Sequence, residues 1–175
     1  MVDAKSSRPL RSSIVASAHL AEQSQELSEL EYGIIVASAA LMRWMERCMQ
    51  ACGTVEMNAL DVMVLHNLTS RGRAKRQADI CLLLNVEDTH TVTYALKKLG
   101  KLGLVEGAKQ GKEMFYRTTD KGRALCQEYA DIRRECLIAS FDNLNIDPDE
   151  IHRLAGMLRA MSGLYDQAAR AATSL

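Results

Sequence analysis

The stretch from 74 to 118 limits the fold more than any other part of the chain. Asp88 stands where a helix wants a capping residue, and Val92, Ala95, Leu96, Leu99 and Leu102 then share one helical face. The opposite face shows Thr89, His90, Thr93, Tyr94, Lys97 and Lys101, and Gly103 follows where a helix ends in a left-handed residue. Upstream, the pattern predicts a helix over about 74–84 that buries Ala78, Cys81 and Leu82, separated from the next by Asn85-Val86-Glu87. Downstream, Leu104-Val105-Glu106 reads as a strand, Gln110-Gly111 as a tight turn, and Met114 to Thr118 as the returning strand. Helix, short turn, helix and then a hairpin is the layout of a helix-turn-helix with a wing.

Long apolar helices flank this centre. Ser28-Glu29-Leu30-Glu31 has the form of a capping box, with Leu27 and Tyr32 at the staple positions. Ile34, Ser38, Leu41, Met45 and Cys48 follow at helical spacing up to Gly53. Thr54 is then expected to cap a helix burying Leu60, Met63, Val64 and Leu68, which Ser70-Arg71-Gly72-Arg73 breaks. Thr119 opens a helix predicted to run to about Leu144, with Leu125, Tyr129, Ile132, Cys136 and Ala139 in register. Asp147-Pro148-Asp149-Glu150 starts the last one, in which Ile151, Leu154, Leu158, Met161, Tyr165 and Ala168 repeat. One small domain does not bury this much apolar helix, so pairing with a second copy in a two-fold homodimer is expected. The fold class is thus mainly α with a small β-hairpin wing. Its expected division is a flexible N-terminal tail over 1–27, a helical dimerisation region over 28–53 and 120–175, and a winged helix-turn-helix over 54–119.

Charge agrees with this division. Net charge is zero, yet residues 71–123 hold 12 Lys and Arg against 6 Asp and Glu, while the remainder holds 10 against 16. A basic centre on an acidic scaffold suits a polyanion such as double-stranded DNA. No run approaches the roughly 20 apolar residues of a membrane span, and 1–27 is too polar for a secretory signal, so the cytoplasm is the expected compartment. The five cysteines lack C-x-x-C spacing and read as reduced thiols. No Gly-rich phosphate loop, H-E-x-x-H or nucleophile elbow is present, and His66 has no zinc-site companions. Neither an enzyme nor a metal or cofactor site is expected.

The run from Thr91 to Val105, T-V-T-Y-A-L-K-K-L-G-K-L-G-L-V, is similar to the T-V-T-R-x-(L/V)-x-x-L-x-x-x-G-L-(V/I) segment of the MarR family of winged-helix regulators. Thr118-Thr119-Asp120-Lys121-Gly122-Arg123 resembles the L-T-x-x-G-R of the same family, and the resemblance extends over 27–175. Tyr94 stands where the family often has arginine. The wing tip, Ala108-Lys109-Gln110-Gly111-Lys112-Glu113, is shorter than the family's D-x-R-D-R-R type and has no arginine. The resemblance implies a sequence-specific, homodimeric transcription regulator under control of a small molecule or an oxidant.

A helix in the major groove reads bases with its first turns, which makes Thr89, His90, Thr93 and Tyr94 the base-reading candidates. Lys97, Arg71, Arg73, Lys75 and Arg76 are the phosphate candidates, with Lys109 and Lys112 on the wing. For an effector, Arg43, Trp44 and Arg47 beside Met42, Met45 and Met49 could hold an aromatic anion. Cys48 and Cys52, four apart, are the candidate redox pair. Two alternatives remain open at this level. One is a winged helix used only for protein contacts, and the other is a thiol-based redox-sensing regulator.

Overall fold

The computed structural model describes residues 14–54 and 56–175, apart from the side chain of Arg71. Residues 1–13 of the expected tail lie outside the described residues. The chain divides into two compact units between Tyr129 and Ala130.

In the first unit, α1 (Ala18–Ala21) is a single turn and α2 (Gln25–Ala51) is the long helix. The helix begins earlier than the box at Ser28 predicts. Ser24 is the cap, accepting from the amide of Leu27, and Ser28 is buried inside the helix with its hydroxyl donating to the Ser24 carbonyl. Both serines suit a cap, and the outer one prevails because each further helical residue adds a hydrogen bond once the helix is nucleated.

Thr54 does not open α3 (Ala59–Thr69). Its hydroxyl donates to the Met49 carbonyl at 2.7 Å and so closes α2. Asn58 and Asp61 instead form a reciprocal box, each side chain accepting the other's amide at 2.9 Å. A 3-10 turn over Ser70–Gly72 leads into β1 (Lys75–Arg76), and α4 (Gln77–Leu84) follows. The helix starts after the predicted position because Lys75 and Arg76 pair with Tyr116 and Phe115 as a sheet strand. Its buried residues are Ile80 and Cys81; Ala78 is exposed and Leu82 is 83% exposed. A helix of about two turns with only one side against the core has room for few inward positions, and the β1 pairing sets which ones face in.

Asn85, in the left-handed conformation at φ 51°, turns the chain into α5 (Thr89–Lys101), capped by Asp88 as expected. Gly103 at φ 71° ends α5. Strands β2 (Val105–Gln110) and β3 (Glu113–Thr118) form the hairpin, with Gln110 opposite Glu113 across a turn at Gly111 and Lys112. The sheet order is β1-β3-β2, all antiparallel. Thr119 then accepts from the amide of Gly122 to cap α6 (Asp120–Arg133). The core of this unit is Met49, Val62, Val64, Leu65, Leu68, Ile80, Val92, Leu99 and Leu104, each essentially inaccessible. Each such side chain contributes on the order of 2 kcal/mol of apolar burial.

The second unit comprises the end of α6, a π-helical turn over Arg134–Ile138, α7 (Ala139–Asp142) and α8 (Pro148–Ala172). The predicted uninterrupted register fails at the π turn. One extra residue in the turn shifts the positions after it by about 100°; Cys136, within the turn, and Ala139, just after it, are exposed in the single chain. Asp147 caps α8 as expected, accepting from the amide of Asp149. No residue of α8 is buried, although it carries Leu154, Met157, Leu158 and Leu164.

Candidate nucleic-acid interface

Helix α5 is held from behind. Val92, Ala95, Leu96 and Leu99 are buried, and Lys98 reaches 2.8 Å from the Asp61 carboxylate of α3. Asp88 accepts the amide of His90 at 2.9 Å and thereby covers part of the positive helix end. With that face fixed, Thr89, His90, Lys97 and Tyr94 (72% exposed) project outward. Thr93 is half-buried.

Gln77, at the start of α4, is a residue that sequence reasoning missed. Its amide nitrogen donates to the Thr89 carbonyl and to the Thr93 hydroxyl, both at 2.8 Å, while that hydroxyl donates to Thr89 at 3.0 Å. This bridge sets the position of the first turn of α5 against α4 and occupies the hydroxyl of Thr93. A glutamine at the first position of a helix that precedes a recognition helix was the available signal.

The side chain of Arg71 lies outside the described residues, and the other phosphate candidates separate into three groups. Lys75 is turned inward and buried, with its ammonium donating to the carbonyls of Asn67 and Ser70 at the end of α3. Its inward direction follows from the alternation of β1, and it leaves the candidate surface. Arg76 lies between two carboxylates, 2.9 Å from Asp79 and 3.0 Å from Glu113. The hydrogen bonds to Asp79 and then to Glu113 hold the guanidinium firmly protonated, and Arg76 in turn lowers the Asp79 carboxyl. A charge neutralised in this way contributes little attraction for phosphate. Arg73, Lys97, Lys109 and Lys112 are exposed and enter no ion pair among the described residues. Lys109 precedes the hairpin tip and Lys112 lies in its turn.

The remaining candidates lie away from this surface. On α2, Arg43 and Arg47 are exposed, Trp44 and Met45 are half-buried, Met42 is exposed and Met49 is in the core. Arg47 hydrogen-bonds Gln50 along its own helix. Cys48 and Cys52 are both buried, and burial, reinforced by the Cys48 and Glu128 charges, pushes the Cys52 thiol up to about 11. That environment opposes the lowered thiolate pKa a peroxide sensor requires. His66 packs edge-on against Tyr129, with ring centroids 4.6 Å apart, and its Nε2 has no hydrogen-bond partner among the described residues.

Burial holds the His66 pKa below its ordinary 6.5. The unfolded chain therefore takes up this proton first as pH falls, so stability present above pH 6.5 is lost below it. Urea midpoints measured on either side of pH 6.5 are expected to differ, and His66→Phe is expected to shrink the difference. An unchanged difference in that variant would exclude His66 as its source.

Residues 57–122 match a family model described as a winged helix DNA-binding domain. No curated protein matches the chain. Among solved structures, the chain is similar to a MarR-family transcriptional regulator from Rhodococcus sp. RHA1, at 12% identity and TM-score 0.64, covering 83% of this chain and 96% of that one. It is similar to a mutant MarR from E. coli complexed with operator DNA, at 19% identity and TM-score 0.63, covering 78% and 95%. It is also similar to CouR from Rhodococcus jostii RHA1 bound to p-coumaroyl-CoA, at 12% identity and TM-score 0.64, covering 75% and 90%. Residues 57–122 are therefore similar to a winged helix DNA-binding domain, and the chain has the fold of the MarR-family transcription regulators it resembles.

Proposed function

We propose that this chain is a sequence-specific transcription regulator that binds double-stranded DNA as a cytoplasmic homodimer, responds to a small molecule and performs no catalysis. The observation that carries this reading is α5. One face is locked into the core, the other presents Thr89, His90, Tyr94 and Lys97, and a hairpin with exposed Lys109 and Lys112 stands beside it in the same domain. Arg73 and Lys97 serve the phosphate backbone, and the first turn of α5 serves base edges. Support for an effector comes from the similarity to CouR with its bound thioester.

Fluorescence anisotropy with duplex DNA across a salt series tests the DNA reading. Affinity is expected to fall linearly on a log–log plot, and Lys109→Ala with Lys112→Ala is expected to reduce the slope by about 2 while weakening all sequences alike. Absence of binding at low salt would leave the domain as a protein-contact module instead.

The homodimer rests on exposed apolar side chains. Ile35, Val36, Leu41 and Met42 of α2, and Leu154, Met157 and Leu158 of α8, are 40–57% exposed in the single chain. Such surface on helices of this length is covered in a partner-bound state. Leu158→Asp with Met161→Asp is expected to shift the sedimentation mass from two chains to one. A mass that stays at two chains would place the interface elsewhere.

A further inference from the structure

Helix α4 begins at Gln77, directly after β1, and the side chain of Gln77 reaches across to α5. Its amide nitrogen lies 2.8 Å from the Thr89 carbonyl oxygen and 2.8 Å from the Thr93 hydroxyl. A carbonyl only accepts, so the end of the amide that faces Thr89 is the NH2 group, and its protons are committed to α5. Thr89 is the first residue of α5 and Thr93 follows one turn later, with Gln77 and Thr93 both half-buried. The bridge therefore sits on the end of α5 that meets base edges in the reading above.

The bridge decides what Thr93 has left to offer. A hydroxyl carries one proton and two lone pairs. Gln77 donates into one lone pair, and the proton goes to the Thr89 carbonyl at 3.0 Å. A helical threonine divides between two side-chain rotamers, and the Gln77 bond selects the one whose hydroxyl turns back to Thr89. What remains for a ligand is a methyl group and one lone pair, with no donor. In the major groove thymine presents a methyl group, and adenine and cytosine each present an amino group. Guanine presents only the acceptors O6 and N7. Guanine is thus the one base edge that this threonine matches with nothing. A threonine released from the bridge regains a donor and can pair with it. We infer that Gln77 is a positioning residue for base selection, which holds the Thr93 hydroxyl on Thr89 and so sets α5 against guanine at the base that Thr93 faces. This assignment rests on the reading of the chain as a DNA-binding regulator. A bridge that only braced α4 against α5 would change affinity for all sequences alike.

The test is selection by the full chain from a pool of random DNA duplexes, with the bound fraction sequenced and the ratios confirmed by anisotropy on single duplexes. The parent is expected to disfavour guanine about 10-fold at one position, within the usual cost of one wrong base pair. Gln77→Met keeps the length of the side chain and removes the amide; it is expected to cut that ratio to about 2-fold and to leave the other positions as they were. Thr93→Val keeps a methyl group and has no hydroxyl, so guanine should stay excluded, and adding Gln77→Met to it should change nothing further. Thr93→Ser keeps the bridging hydroxyl and loses the methyl group, so it should exclude guanine while losing preference for thymine. A guanine ratio unmoved by Gln77→Met, or moved equally with and without the Thr93 hydroxyl, overturns the assignment. So does guanine accepted by Thr93→Ser, or a loss of affinity in Gln77→Met that is the same for every duplex. A parent chain that selects no sequence overturns the regulator reading and this assignment with it. A parent that selects, and variants that keep its profile, overturn this assignment alone.

Discussion

Gly122→Ala is expected to destabilise the winged domain by about 3 kcal/mol or more, since overpacking against parts that cannot yield lies at the upper end of its usual range. A Cβ at Gly122 would overlap the carbonyl oxygen of Leu104 and come within 2.6 Å of the Thr118 methyl. Neither neighbour is free to retreat. The Leu104 carbonyl accepts from Thr119 at 3.0 Å, and Thr118 is buried with its hydroxyl 3.0 Å from that of Thr69. The conformation of Gly122 is ordinary helix, so the requirement is for space alone. At about 3 °C per kcal/mol for a chain of this size, the melting temperature should drop by about 10 °C. Gly33→Ala supplies the control. It is helical with nothing within 4 Å of the added carbon, and alanine there should raise helix stability slightly. A Gly122→Ala protein that melts with the parent would refute the close approach of α6 to the start of the wing.

Lys98→Met is expected to cost about 2–4 kcal/mol. The Asp61 carboxylate is only 3% exposed and lies 2.8 Å from the Lys98 ammonium, so removing the cation leaves a buried anion. Breaking a buried pair costs about 3–5 kcal/mol in general. Here two circumstances reduce the figure: Lys98 is 34% exposed, and the amide of Asn58 still donates to the carboxylate. Restoring neutrality with Asp61→Asn in the same chain should recover much of the loss, which a double-mutant cycle by urea denaturation reads directly. Additive single effects would show that the two groups do not interact. Lys98 lies on α5, so the same variant should also loosen the recognition helix against α3 and weaken DNA binding without removing a phosphate contact.

The cysteine pair shows what kind of information a sequence withholds. Spacing put Cys48 and Cys52 on one helix, but whether a thiol is poised for oxidation depends on what covers it. Tyr129 and Cys126 of α6, more than 70 residues away, make that cover. Lys75 and Arg76 teach the same lesson. As a basic run before a helix they read as phosphate ligands, yet their pairing with β3 turns Lys75 into the protein and brings Arg76 against Glu113.

What the sequence determined by itself was whatever its own near neighbours decide. Asp88 and Asp147 as caps, Gly103 as a left-handed position, the buried face of α5 and the hairpin after it all depend on groups a few residues apart. The order of those elements was enough to specify a winged helix between apolar helices. Tertiary structure alone decided among equivalent local signals, such as Ser24 over Ser28 and Asn58 over Thr54, because the choice turns on how much helix the rest of the fold can use. It also decided which cations face solvent, placed Gln77 on Thr89 and Thr93, and put a π turn in the helix after Tyr129. Those outcomes depend on atoms brought together from distant parts of the chain, and no local pattern encodes them.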